Sequence, residues 1–217
     1  MRPYIIIFST MTLDGRIASK SGYSNLSCKY DLIRLHKLRA ESDAVMVGAG
    51  TVIADDPSLR LKYVKGRDPD RIIVDGLLRS PTSSRVFSEK PEKTVLITTR
   101  AASEDLVRTL AARGVRVLLI GEGPDVDLSK AAETLWDLGY RRIMVEGGGR
   151  LNWSLIRYKV VDEIRVTVSP YIFGAGRSIF EGEGFESTSQ GPILSLKSAQ
   201  VCECGNEVHL IYYVKYQ

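Results

Sequence analysis

Short apolar runs alternating with amphipathic segments constrain this chain more than any other feature. The runs YIIIF, AVMVG, RIIVD, TVLIT, VRVLLI and RIMVE are rich in β-branched residues and only a few residues long. That composition and length fit strands buried on both faces. Between them, DLIRLHKLRAES, SEDLVRTLAARG and DLSKAAETLWDLGY carry apolar residues at helical spacing. In the second of these, Ser103 is placed to cap the start and Gly114 the end, with Leu106, Val107, Leu110 and Ala111 on one face. Strand and helix repeated in this order predict an α/β fold, a mostly parallel central sheet with helices on both faces.

The last third changes character. DEIRVTVSPYIFG, PILSLKSAQVCEC and EVHLIYYVKYQ read as strands with no long helix between them. Gly205-Asn206, between the final two, suits a two-residue hairpin with glycine first. The tail is therefore expected to add antiparallel strands to the same sheet, ending in a C-terminal antiparallel hairpin. No linker, repeat or low-complexity stretch interrupts the pattern, so residues 1–217 are expected to form a single domain. With 44% hydrophobic residues, a chain of 217 can bury a sizeable core without covalent cross-links.

Several function classes fall away. The longest apolar runs, such as Ile5 to Phe8, are too short to cross a bilayer, and the N-terminal residues lack the apolar stretch of a signal peptide. Three cysteines, Cys28, Cys202 and Cys204, then suit a reducing cytoplasm. The net charge of +4 is modest and its lysines and arginines are dispersed, which argues against a nucleic-acid stripe but suits a small anionic substrate. Basic residues thicken only at Arg60, Lys62, Lys65, Arg67 and Arg71, either a solvated face or an anion site. His36 and His209 are far apart without metal-ligand spacing, and Cys202 and Cys204 alternate along a strand with no second ligand pair, so no metal is expected. There is no G-x-S-x-G elbow, no Walker A loop and no complete G-x-G-x-x-G; GAGTVI fails the last at its third glycine.

What remains are two glycine-rich strand ends. MVGAGTVIADDP follows one predicted strand; VEGGGRLN follows another and opens a helix expected at 151–158. In parallel α/β sheets ligands bind beyond the carboxyl ends of strands, where amides at a helix start favour phosphate oxygens. Either loop alone fits an ordinary tight turn. Two together, with no metal or nucleophile elsewhere, point to a dinucleotide cofactor.

The ordered set STMTLDGRIA, RAESDAVMVGAGTVIADDPSLRL, RIIVDG, RIMVEGGGRLN and VDEIRVTVSPYIFGAGRSIFEGEG resembles the riboflavin-biosynthesis reductases with a dihydrofolate-reductase-like fold, over about residues 4–216. It is most similar to their stand-alone form; the fused bacterial forms also carry a zinc deaminase whose H-x-E and P-C-x-x-C signatures are missing here. The resemblance implies an oxidoreductase that takes hydride from NADPH, or from NADH, to C1′ of a ribosylaminopyrimidine phosphate, leaving a ribitylamino chain. It implies cofactor contacts from Gly48, Thr51 and Asp55, a pyrophosphate cradle at Gly147, Gly148, Gly149 and Arg150, and adenosine-side contacts from Gly76 and Arg79. Related reductases often have serine where this chain has Gly76, which leaves the choice between NADPH and NADH open. Arg39, Leu59, Lys62 and Glu146 match substrate positions, and Arg60 and Lys62 are expected to share one side of an extended segment. Asp55 fits equally a cap before Pro57, Asp14 in TLDG a simple turn; Asp14 and Glu146 are the candidate catalytic carboxylates. The resemblance further implies a homodimer and a cis peptide bond within residues 147–149. Two other readings share these features: a dihydrofolate or other pterin reductase, and a non-catalytic nucleotide-binding module.

Overall fold

A computed structural model describes residues 1–217. A nine-stranded sheet forms its centre. In chain order its strands are β1 (Tyr4–Thr12), β3 (Ala44–Gly48), β4 (Asp70–Val74), β5 (Thr94–Thr98), β6 (Arg116–Leu119), β7 (Arg142–Val145), β8 (Glu163–Ser169), β10 (Ile193–Val201) and β11 (Val208–Lys215). Across the sheet they run β10-β11-β8-β1-β7-β3-β4-β5-β6. From β8 to β6 every neighbouring pair is parallel; β11 against β8 and β10 against β11 are antiparallel. A separate two-stranded ribbon, β2 (Arg16–Ala18) with β9 (Arg177–Ser178), lies outside the sequence expectation because each strand is too short to show a period.

The alternation within each strand explains why both faces are covered. Ile5 and Ile7 point into one apolar cluster, with Ala131 and Leu135 of α5 (Leu128–Asp137) and Leu151 and Leu155 of α6 (Gly149–Arg157). Ile6 and Phe8 point into the other, with Leu38 of α1 (Lys29–Ala40), Val52 of α2 (Ala49–Asp55), Phe87 of α3 (Arg85–Ser88) and Leu110 of α4 (Glu104–Ala112). A strand feeding two cores must be apolar at nearly every position, hence the unbroken runs rather than an alternating pattern.

Three local expectations need correction. β8 is parallel to β1 rather than part of an antiparallel tail, because α6 carries the chain from β7 over the sheet before β8 begins. The final hairpin turns through four residues, Glu203 to Asn206, closed by the Cys202 amide on the Glu207 carbonyl at 2.8 Å, so Gly205-Asn206 is not a two-residue turn. Gly205 nevertheless takes a φ of 78° there. In α4, Ser103 occupies the cap position but its side chain accepts no hydrogen bond, and Leu106 and Ala111 of the expected apolar face are exposed. Gly114 does end the helix, with φ of 97°.

Candidate active site

The carboxyl ends of β1, β3, β4 and β7 open into one cleft of about 1180 Å³. Parallel strands ending side by side leave such a crevice, because the helices that follow diverge to opposite faces. Both glycine loops reach it. Gly48, Thr51 and Asp55 line it from α2 and its cap; Gly148, Gly149 and Arg150 line it from the start of α6. The loops are tied together by the Gly48 amide donating to the Gly147 carbonyl at 3.0 Å. Gly147 has φ of 91°, and the peptide bond between Gly147 and Gly148 is cis, as the resemblance implied.

The glycines are bare for different reasons. A β-carbon on Gly148 would find only Thr51 Oγ1, at 3.6 Å, so the protein leaves space there. One on Gly149 would instead strike the Ser178 carbonyl oxygen and crowd Glu181, so that glycine serves packing of β9 against the start of α6. Gly76 lines the cleft too, and a β-carbon there would collide with the Pro124 carbonyl. The loop at Pro124 accounts for glycine at 76, where serine would not fit without backbone movement. Arg79, beside it, lines the cleft, is exposed and makes no ion pair.

Directly before the second glycine loop, Glu146 forms a bidentate pair with Arg39. Arg39 Nε meets Glu146 Oε1 at 2.5 Å and its NH2 meets Oε2 at 2.6 Å, while NH1 donates to the Arg60 carbonyl at 2.7 Å. The side chains are only 10% and 12% exposed, so each charge depends on the other. Burial works against the Arg39 charge, but the Glu146 carboxylate more than offsets it, and the guanidinium is held above its ordinary value. Glu146 faces the cleft, whereas Arg39 stands behind it and does not line the cavity. Leu59 also lines the cleft, buried and in a left-handed conformation at φ 53°.

Lys62 is exposed and does not line the cavity. Its amide donates to His36 Nδ1 at 3.1 Å, one turn of α1 before Arg39. Burial, then Arg39, lowers the His36 pKa to about 4, so the ring is neutral near pH 7 and able to accept that bond. Leu59, just before the Arg60–Lys62 segment, is left-handed, and the chain bends at Lys62. Arg60 pairs with Glu89 at 3.2 Å, and Lys62 makes no ion pair.

Asp14 is not in the cleft. Its carboxylate accepts from the Thr12 hydroxyl at 2.6 Å and from the amides of Phe173 and Gly174 at 3.1 and 2.8 Å. Chiefly the Thr12 hydroxyl, and then those amides, hold its pKa below the ordinary carboxylate range. It lies in a turn and ties that turn to the loop at Phe173 and Gly174. Asp55, by contrast, ends α2 without capping anything through its side chain, lines the cleft, and has its pKa raised by burial, with Arg177 opposing. Arg177 itself, on β9, lines the cleft and was not singled out from the sequence. Only GAGR in the quoted motif marks it, and nothing local says that the ribbon with β2 turns it inward.

The residues present fit a dinucleotide. Bare backbone at Gly148, the helix start at Gly149, and the cations Arg79, Arg150 and Arg177, none in an ion pair, line one continuous cleft. Asp75, 2% exposed in its wall, keeps one carboxylate oxygen without a hydrogen-bond partner.

This parallel sheet with an antiparallel edge, and a cleft at its carboxyl end, give the dihydrofolate-reductase-like fold. The fold matches dihydrofolate reductase from Enterococcus faecalis complexed with NADP(H) at a TM-score of 0.55, with 12% identity over 98% of this chain and 97% of that one. The chain belongs to the riboflavin-biosynthesis reductases: residues 3–210 match the RibD C-terminal domain family. It is 39% identical, over 99% of its length and 100% of the relative's, to the 2,5-diamino-6-ribosylamino-4(3H)-pyrimidinone 5′-phosphate reductase of Methanothermobacter thermautotrophicus. The enzyme of the same name from Archaeoglobus fulgidus is also 39% identical, over 85% of this chain and 89% of that one. Among solved structures, RibD of Acinetobacter baumannii superposes with a TM-score of 0.84 and 26% identity over 99% of this chain and 58% of that one. No helix is long and apolar enough to cross a membrane.

Proposed function

We propose that the chain reduces the ribosylamino side chain of 2,5-diamino-6-ribosylamino-4(3H)-pyrimidinone 5′-phosphate to the ribitylamino product, with NADPH as donor, in a reducing cytoplasm. The observation that carries this reading is the Arg39–Glu146 pair, whose carboxylate lines the same cleft as the glycine loops. Two guanidinium N–H groups occupy one edge of the Glu146 carboxylate, leaving its other lone pairs to accept from the amino and ring N–H groups of a diaminopyrimidinone. Thr51, Asp55, Gly148 and Arg150 would hold the cofactor's pyrophosphate and ribose, and Arg79 its adenosine end. When bound, the cofactor supplies hydride to C1′ of the opened sugar. The protein's own share is alignment of the two ligands and exclusion of water from between them.

Cofactor oxidation with this substrate, set beside dihydrofolate, tests the reading. Turnover of the ribosylaminopyrimidine phosphate alone supports it; turnover of dihydrofolate alone would establish the pterin reductase, and neither would leave a nucleotide-binding module. Arg79, free of ion pairs at the adenosine end, suits the 2′-phosphate of NADPH. Arg79→Ala is expected to lower the preference for NADPH over NADH by roughly tenfold or more, a charge-assisted contact of about 1.5–3 kcal/mol. An unchanged ratio of kcat/KM values for the two cofactors would place the 2′-phosphate elsewhere.

Of the two basic residues on the 59–62 segment, Arg60 is engaged by Glu89, which leaves Lys62 for the 5′-phosphate. Lys62→Ala should raise substrate KM by roughly tenfold, about 1.4 kcal/mol, with cofactor KM nearly constant. On the dephosphorylated nucleoside analogue wild type and variant should perform about equally poorly. A full penalty retained on that analogue would assign Lys62 another role.

The same reading includes a homodimer formed through the tail. β10 is the sheet's edge, and Ile193, Leu194, Leu196 and Val201 stand exposed along it. An apolar edge of this kind invites a second copy of the chain. Light scattering should give twice the monomer mass at micromolar concentration; a monomer there would remove the dimer from the proposal.

A further inference from the structure

The fold gathers all three cysteines at one point outside the lining of the cleft. Cys28 precedes α1, and Cys202 and Cys204 flank the start of the last hairpin turn. Cys28 Sγ lies 3.6 Å from Cys202 Sγ. The ligand atoms of Cys28, Cys202, Cys204 and Glu207 all lie within 4.8 Å of one another. Tetrahedral zinc with bonds of about 2.3 Å to sulfur requires sulfur atoms about 3.8 Å apart, so the thiols stand close to the spacing of a closed structural site.

We propose that Cys28, Cys202, Cys204 and Glu207 bind one Zn²⁺ ion that fastens the start of α1 to the C-terminal hairpin. The carboxylate carries this beyond the clustering of thiols. Glu207 is 3% exposed; Oε1 accepts from the Cys28 amide at 2.7 Å, and Oε2 is buried with no hydrogen-bond partner. A buried carboxylate oxygen left without a donor is costly, and a cation beside the three sulfurs would satisfy it. Cys28 sits at the helix N-terminus, its sulfur 3.5 Å from the Asp31 amide. His209 Nε2, also buried without a partner, stands 3.9 Å from Glu207 Oε2 and from Asp31 Oδ1, beyond hydrogen-bond reach of either. Arg34, 3.5 Å from Asp31, places a cation beside this acidic group. Three thiolates and a carboxylate select zinc over the harder magnesium or calcium.

Binding exchanges protons for metal. Each thiol gives up its S–H proton to solvent as its sulfur lone pair takes the zinc, with no change of oxidation state. The ion would join residues 174 positions apart in sequence, Cys28 and Cys202, and so hold β10 and β11 to the helix whose last turn carries Arg39. Its role is structural, since nothing in the cluster lines the cleft.

The test uses the full chain, reduced and purified without chelator from zinc-supplemented medium. Zinc measured by mass spectrometry should approach one ion per chain, and replacement by Co²⁺ should give thiolate-to-cobalt charge-transfer absorption with intense tetrahedral d–d bands. Cys28→Ser, Cys204→Ser and Glu207→Gln should each lose most of the metal and melt lower, while zinc removal should lower the wild-type melting temperature reversibly. Wild-type protein well below one zinc per chain, or Co²⁺ bound without charge-transfer absorption, would overturn the proposal even if the variants failed to fold. So would metal retained undiminished in folded Cys28→Ser, or a Cys28–Cys202 disulfide, seen as a loss of two hydrogens, in place of metal.

Discussion

Arg39→Met is expected to destabilise the protein by about 3–5 kcal/mol, because it leaves the Glu146 carboxylate buried without its counter-charge. The two side chains are 10% and 12% exposed and joined by two hydrogen bonds, so water cannot replace the guanidinium. Activity should fall further than stability explains, since Glu146 would lose the orientation that presents its free lone pairs to the pyrimidine. The double variant Arg39→Met/Glu146→Gln removes both charges and should recover much of the lost stability while staying nearly inactive. Urea unfolding of the single and double variants, alongside steady-state kinetics, separates these effects. A single-variant loss below about 1 kcal/mol, the range of exposed ion pairs, would show that the pair is solvated and the carboxylate not held by it.

The second large effect distinguishes two adjacent glycines. Gly148→Val should raise the apparent KM for NADPH at least tenfold, about 1.4 kcal/mol, because its branched side chain enters space that only Thr51 borders. Gly149→Ala should act on the fold instead, costing about 1–3 kcal/mol, since even a methyl group meets the Ser178 carbonyl and Glu181. Thermal unfolding and cofactor titration of both variants provide the comparison. Unchanged NADPH affinity in folded Gly148→Val would make this loop structural throughout; wild-type stability in Gly149→Ala would mean that β9 yields easily.

Much of the scaffold was legible in the chain. Apolar runs a few residues long, interleaved with helical spacing, define a parallel sheet covered on both faces, and each signal lies within one element. The glycine-rich strand ends were legible for the same reason: a strand, a flexible turn and a helix start are consecutive in sequence. Resemblance to a family then assigned Arg39, Leu59, Lys62 and Glu146 to one site; Leu59 and Glu146 share the cleft, Arg39 stands directly behind, and Lys62 does not line it.

What only the tertiary structure decided depends on partners distant in the chain. Asp14 looked like a candidate catalytic carboxylate until the amides of Phe173 and Gly174, 159 and 160 residues away, claimed it. Gly76 and Gly149 are glycine because of Pro124 and Ser178, which no local pattern brings near. Cys202 and Cys204 lacked a second ligand group along the sequence; Cys28 and the orphaned Glu207 oxygen complete it only when β11 pairs with β8 beside β1. The sequence by itself determined the elements and the backbone freedom at their ends, because propensity and periodicity act over a few residues. Which charge is buried, which glycine is crowded and which sulfurs meet was decided by the order of strands across the sheet, because burial and close contact are properties of neighbours in space.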